Sequence, residues 1–337
     1  FVGSDHLHAR QRLKGFNLIR SNPKICGYNL TGMLDHAITG EGIWTFFREW
    51  KKDIVDALSD GWASLRWCIF ISPMYGYARE PFRIEVVLAN EDILHPADYP
   101  VSLAISGPEG IAWTKNTTIH LPATGDGGEP PLAVPVLDEE VVIDGETGVY
   151  ELAVVMDRGG APAGGRQIFR LFNRSDYRVV QNAVSTLGLD ERILDWLVER
   201  GIETHPIDLD MKDSKEITLI GDACEELGNA SAWEKLLGKV ASGSVVMFFD
   251  PAVFKRGDED LGWLPLEPKG RCYEFVDWLY HKECVSNRHP VFVDLGSPGV
   301  MDWDLYEGII PHRMFDGQNA PDEVAAAAFA TGYCIPG

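Results

Sequence analysis

Hydrophobic positions recur at helical spacing near the start of the chain and at period two through its middle. Leu7, Leu13, Phe16 and Ile19 fall among Arg and Lys close to helical spacing, which predicts a helix over His6–Ile19. The run Ile25–Leu30 is short, apolar and flanked by Pro and Gly, and it predicts a buried strand. Polar residues crowd its end and the loop beyond: Asn29, Thr31, Asp35, His36, Thr39 and Glu41. Trp44, Phe46 and Phe47 follow, and Arg48, Lys51 and Lys52 open a helix over Lys51–Leu58. A helix, a strand, a polar loop and a helix make an αβα segment, and in such units ligands sit at the carboxyl ends of parallel strands. The apolar run Trp62–Ile71 stops at Ser72-Pro73 and is read as the chain leaving this first body and packing against it.

From Phe82 the period changes. Phe82, Ile84, Val86 and Leu88 alternate with Arg83, Glu85 and Val87, as in a strand with one buried face. Two strands flank the Gly-Pro-Glu-Gly turn at 107–110, Val141–Ile143 and Gly148–Met156 alternate again, and Gln167–Phe172 is the last strand of the series. Short strands with turn signals between them, and no cysteine pair, predict an immunoglobulin-like β-sandwich.

Beyond Arg178 strands alternate with helices. Arg178–Ser185, Thr204–Ile207, Glu216–Gly221 and Ser244–Phe249 read as strands, the last fully buried. Asp190–Arg200 reads as an amphipathic helix with Asp190 as N-cap, a stripe of Ile193, Leu194, Leu197 and Val198, and Gly201 as its stop. Trp233–Ser242 is a second helix. This order predicts βαβ units with a parallel sheet covered on both faces. Further on, Phe275–Tyr280 and the Ala-rich Asp322–Ala330 read as helices.

Length changes the picture little: 337 residues suffice for two or three domains. Charge changes it more. A net charge of −21 argues against nucleic acid and anionic membrane as partners, because both need a basic patch. No apolar run approaches the roughly 20 residues of a membrane-spanning helix. The chain starts at Phe1 inside helical sequence and ends at Gly337 in a turn, so both ends read as cut from something longer. The six cysteines show no metal-type spacing and indicate no compartment. There is no P-loop and no GxGxxG, hence no nucleotide or flavin signature, and no cofactor is expected.

The stretch Gly27–Lys52 resembles the end of the (β/α)8 barrel in glycoside hydrolase family 2 enzymes, the β-galactosidase, β-glucuronidase and β-mannosidase types. Their last strand reads GY-x-x-T, followed by a Leu/Asp pair, a Gly, and an aromatic before a basic helix start. Gly27, Tyr28, Thr31, Leu34, Asp35, Gly42 and Trp44 hold those places here. The phrase Val86–Asp92 and the later alternation Tyr99, Val101, Leu103, Ile105 are similar to the sandwich domains that follow such barrels. The last part of the chain resembles the flavodoxin-like α/β domain of the class I glutamine amidotransferase-like superfamily. The resemblance therefore implies three domains: a barrel end at 1–72, an immunoglobulin-like sandwich at 73–175 and a truncated amidotransferase-like α/β domain at 176–337.

It also implies a retaining glycosidase acting on carbohydrate, with an acid/base and a nucleophile carboxylate. Those carboxylates belong to earlier barrel strands, so none is assigned here, and the fragment alone is expected to be inactive. A wall of the substrate pocket would remain. Asn29, Thr31, Asp35 and Glu41 would bond sugar hydroxyls, and Trp44 would stack on a pyranose. Loop capping by Asp35 and Glu41, and core packing of Trp44, stay open beside those roles. Asp302, Trp303, Asp304 and Tyr306 form either a second sugar platform or a loop anchor. Histidines at 6 and 8 point to different helix faces, so they are read as exposed rather than as metal ligands. A nucleophile in the α/β part would have to be Cys224 or Cys334, and neither sits on a Gly-flanked elbow with a His partner. The rival reading is a non-catalytic carbohydrate-binding or oligomerising protein.

Overall fold

The computed structural model describes residues 2–25, 27–35, 40–122, 131–177, 180–181, 183–211, 215–223, 225–274, 283–286, 289–295, 299–306 and 313–329. The chain forms two compact units. One comprises Phe1–Asp176, Asp277–Ile310 and Ala325–Gly337; the other comprises Tyr177–Val276 and Pro311–Val324.

The first unit opens with α1 (Val2–Arg20) and α2 (Lys52–Gly61), then runs through β1 (Leu65–Ser72), β2 (Tyr75–Tyr77), β3 (Pro81–Asn90), β4 (Ala97–Gly107), β5 (Gly110–Leu121), β6 (Ala133–Val142), β7 (Gly148–Met156) and β8 (Arg166–Phe172). These strands build a three-stranded sheet, β1-β3-β6, and a five-stranded sheet, β2-β8-β7-β4-β5. Alternation decides what is buried. Trp67, Ile69 and Ile71 stand opposite Leu88, Val86 and Ile84 in an antiparallel ladder, and all six are core residues. On the other sheet Val101, Leu103 and Ile105 face Met156, Val154 and Leu152. One cluster joins both rows, so the sheets enclose a single core. Each fully buried aliphatic side chain contributes roughly 1.5–3 kcal/mol. The Tyr150 hydroxyl donates to the Glu146 carbonyl at 3.0 Å and fastens the corner before β7.

The even-numbered residues of β1 point away from that core. Arg66 and Cys68 are buried nonetheless, and α1 packs against β1 on the Arg66 side. Asn17 of α1 ties the layer down: its amide donates to the Ile69 carbonyl at 3.0 Å and its oxygen accepts from Arg66 Nη2 at 2.7 Å. Phe16 fits over Gly61, where an added Cβ would lie 2.2 Å from the ring.

The second unit holds β9 (Val184–Leu187), α3 (Glu191–Glu199), β10 (Thr204–Pro206), β11 (Ile217–Ile220), α4 (Ala230–Ala241) and β12 (Val245–Phe248). The four strands are parallel, in the order β10-β9-β11-β12. Val184, Ile217 and Leu219 on one face pack under α3 through Leu197, while Ile220, Val246 and Phe248 on the other meet Trp233 and Leu236 of α4. Asp190 accepts the Arg192 N–H at 2.8 Å as N-cap of α3, and Gly201 takes φ 69 just past its end. Asn229 caps α4 by accepting from Ala232 N–H. Gly188 (φ 60) and Gly221 meet backbone to backbone beyond β9 and β11; a Cβ on Gly221 would lie 2.2 Å from the Gly188 oxygen.

Later in the chain come β13 (Arg271–Glu274), β14 (Glu283–Ser286), β15 (Arg313–Asp316) and β16 (Ala326–Phe329). β13 pairs with β15 in the second unit, and β14 with β16 in the first.

Several expectations are corrected. Ile25–Leu30 is not a strand: its described residues join no ladder and alternate between exposed and half-buried. With no neighbour to pair with, an apolar run has no use for β geometry, and among the described residues there is no (β/α)8 barrel strand. Ser244–Phe249 is not fully buried. β12 is an edge strand, and Val245, Met247 and Phe249 are exposed. Val198 faces solvent rather than the stripe of α3. The Ala-rich segment forms strand β16, not a helix, because pairing with β14 overrides its helical preference. The run Phe275–Tyr280 lies outside the described residues.

Candidate functional site

The stretch that carries the sequence motif folds into a compact loop between α1 and α2. Met33 starts it: its carbonyl accepts the N–H groups of Ile43 and Trp44, both at 3.0 Å. Asp35 N–H donates to the Trp44 carbonyl at 2.8 Å, and Lys51 N–H donates to the Ile43 carbonyl at 3.1 Å. Trp44 and Trp50 then pair across a tight turn. Within it Thr45 N–H donates to the Glu49 carbonyl, Arg48 N–H donates to the Thr45 carbonyl, and Arg48 sits at φ 64. The turn lifts Phe46 and Phe47 into solvent, 59% and 81% exposed, and Trp50 is exposed beside them.

A charged node closes the loop. Lys51 Nζ donates to Asp35 Oδ1 at 2.9 Å, lies 2.8 Å from Oδ2, and donates to the Gly40 carbonyl at 2.7 Å. Gly42 N–H adds a bond to Asp35 Oδ1 at 2.7 Å. Both partners of the ion pair are largely withdrawn from water. Gly42 is required by space, since a Cβ there would lie 2.3 Å from the Asp35 nitrogen and 2.6 Å from the Leu34 carbonyl carbon.

Helix α1 supplies a second layer. Arg12 Nη2 donates to the Glu41 carbonyl at 2.6 Å, and its Nε donates to His8 Nε2 at 2.9 Å. Burial, with Arg12 and Lys51 nearby, lowers the His8 pKa to about 4. His8 is thus half-buried and neutral, not exposed as its spacing suggested, while His6 is exposed and 2.7 Å from Asp53.

The five expected substrate residues divide by exposure. Asn29 and Thr31 are exposed. Glu41 is half-buried over Gly32, and its carboxylate has no hydrogen bond or ion pair among the described residues. Asp35 spends both oxygens on Lys51 and Gly42. Trp44 is half-buried, edge-on to Trp50 with centroids 4.7 Å apart, and its indole N–H is buried without a partner. His36 and Thr39 of the same loop lie outside the described residues. Lys51, Arg12 and His8 were not anticipated. The signal available was Gly42 seven residues after an acid, with a lysine nine residues further on.

Elsewhere, Asp302 and Asp304 are held by Arg10 at 3.0 and 2.7 Å. Tyr306 is fully buried among Phe292, Leu295 and Met301, which makes this segment a loop anchor; Trp303 is exposed. Cys224 and Cys334 lie outside the described residues. Cys68, Cys272 and Cys284 form no disulfide among the described residues, and burial raises the Cys68 pKa to about 11.

No protein-family model matches the chain, and no curated protein matches it. Similarity to solved structures is partial. An alkylpurine DNA glycosylase from Pseudomonas fluorescens, bound to DNA with an abasic-site analogue, is 16% identical over 34% of this chain and 32% of its own, with a TM-score of 0.25. A β-glucuronidase 2 of Bacteroides uniformis is 12% identical over 56% of this chain and 23% of its own, with a TM-score of 0.20. A glycosyl hydrolase family 2 member from Bacteroides cellulosilyticus is 12% identical over 55% of this chain and 26% of its own, with a TM-score of 0.21. The chain thus spans a third or less of the length of each of these structures.

Proposed function

We propose that this chain is part of a retaining β-glycosidase of the glycoside hydrolase family 2 type, with its catalytic carboxylates on sequence upstream of Phe1. One observation carries the reading. Three residues of the motif, Asp35, Gly42 and Trp44, come together with Lys51 in a single hydrogen-bonded node. A spacing that resembles a family's and also closes into one node has a physical reason to be kept.

In this reading Asn29, Thr31 and Glu41 offer donors and acceptors to sugar hydroxyls, and Trp44 with Trp50 offers ring faces. Asp35 acts through the loop, holding Gly40–Trp44 in place rather than reaching the sugar. The β-sandwich is an immunoglobulin-like companion, supported by its two facing sheets and the Tyr150 corner. A second reading, a non-catalytic carbohydrate-binding protein, is favoured by the exposed Phe46, Phe47 and Trp50.

The test is hydrolysis of aryl β-glycosides by the open reading frame extended upstream of Phe1, with the 337-residue chain as control. Activity in the long form alone supports the glycosidase. Activity in the short form places catalysis in this chain and overturns the assignment. Inactivity of both, with saturable oligosaccharide binding, favours the binding protein.

A further inference from the structure

The second unit has a cleft of about 400 Å³ that neither the motif nor the glycosidase reading uses. It opens just beyond the carboxyl end of β12. Phe249 N–H still donates to the Ile220 carbonyl, Asp250 caps a 3-10 turn at Pro251–Phe254, and β13 with β15 forms the facing wall. Open parallel sheets bind ligands outside the carboxyl ends of their strands, where side chains from several loops converge. The volume is within the range of small-molecule sites.

The charges in this cleft are balanced and incompletely paired. Lys255 and Arg313 supply two cations, and Asp260 and Glu274 two anions. Arg313 and Glu274 stand opposite each other on β15 and β13, only loosely joined at 4.0 Å. Lys255 and Asp260 line the same cleft, yet neither side chain has an ion-pair or hydrogen-bond partner among the described residues. The half-buried Cys272 and Tyr273 complete the lining.

This balance selects a ligand class. A simple anion attracted by Lys255 and Arg313 is repelled by Asp260 and Glu274, and a simple cation meets the reverse. A molecule with a carboxylate and an ammonium a few bonds apart can satisfy both signs at once. We propose that the cleft between the turn after β12 and the β13–β15 pair binds a small zwitterion of the α-amino-acid type.

The experiment is an amide-resolved NMR titration of the intact 337-residue chain with glycine, alanine, glutamate and lysine. N-acetyl and methyl-ester derivatives, each lacking one charge, are titrated in parallel. The expected result is saturable shifts at Lys255, Asp260, Cys272 and Tyr273 with at least one free amino acid. Both blocked derivatives should bind at least tenfold more weakly. Lys255→Met and Asp260→Asn, at exposed positions, should each weaken binding tenfold while leaving the rest of the spectrum in place. No saturable shift with any amino acid overturns the proposal. So does equal binding of the N-acetyl derivative, which would make this an anion site, and so does unchanged affinity in both variants. None of these outcomes depends on glycosidase activity.

Discussion

Asn17 on α1 and Arg66 on β1 meet at 2.7 Å in a place where both are buried. The carboxamide serves both layers at once, because its amide also donates to the Ile69 carbonyl. Arg66 is 2% exposed, and its remaining links are the Trp67 carbonyl at 3.3 Å and Asp60 at 3.8 Å; Nη1 has no hydrogen-bond partner. Removing Asn17 would strip a buried guanidinium of its best acceptor. A buried charge left short of partners costs more than an ordinary hydrogen bond is worth.

Asn17→Leu is therefore expected to destabilise the first unit by about 3 kcal/mol, lowering its urea midpoint. Adding Arg66→Met to that variant should recover part of the loss, since apolar partners of similar volume need no hydrogen bonds. Trp67 lies next to the node and reports unfolding by fluorescence. A double variant as unstable as Asn17→Leu alone would show that the carboxamide matters for packing rather than for the charge.

The β-rich character of the middle of the chain was legible because period two survives in strands that bury one face: Phe82, Ile84, Val86 and Leu88 are all fully buried. The capped helix α3 was legible because Asp190 and Gly201 act locally. Failures came wherever the outcome depends on a partner distant in sequence. Ile25–Leu30 lacks a strand to pair with, Ala326–Phe329 gains one forty residues upstream, and β12 lies at a sheet edge. The same holds at the candidate site. Asp35 was legible as a polar loop residue, but its partner Lys51 looked like the start of a helix. No periodicity links positions sixteen apart.

That pair leads to a second expectation. Gly42→Ala places a methyl 2.3 Å from the Asp35 nitrogen and must open the loop. Lys51→Met leaves the Asp35 carboxylate with Gly42 N–H alone and costs about 2 kcal/mol of local stability. Both should speed hydrogen exchange at Gly42, Ile43 and Trp44. Exchange in the β4–β7 ladder should not change. Equal acceleration in both places would mean that the loop unfolds only with the whole unit.

Thiol reactivity checks the burial of β1. Cys68 is fully buried and its pKa is raised to about 11 by desolvation, against the pull of Arg66 and Arg20. At pH 8 almost none of it is thiolate, and reagent has no path to it. Brief maleimide labelling followed by peptide mapping should find Cys68 unmodified in the native chain and fully modified in denaturant. Rapid native labelling at Cys68 would mean that the helical layer leaves that face of the sheet.

His8 predicts a pH dependence with a definite sign. It accepts from Arg12 Nε, and burial with Arg12 and Lys51 lowers its pKa to about 4 from an unfolded value near 6.5. Above pH 6.5 the ring is neutral in both states and contributes nothing. As pH falls from 6.5 towards 4 the unfolded chain takes up a proton that the folded chain refuses, so stability declines across that window. Below 4 both states are protonated and the loss levels off. The ring is only partly buried, so the loss is discounted for solvent screening to about 1 kcal/mol. Urea midpoints measured at pH 7, 5.5 and 4.5 should fall more steeply in the native chain than in His8→Gln, where Gln can still accept from Arg12 without titrating. Parallel pH profiles for the two would assign the acid sensitivity to the carboxylates and show that His8 is solvated in the folded chain.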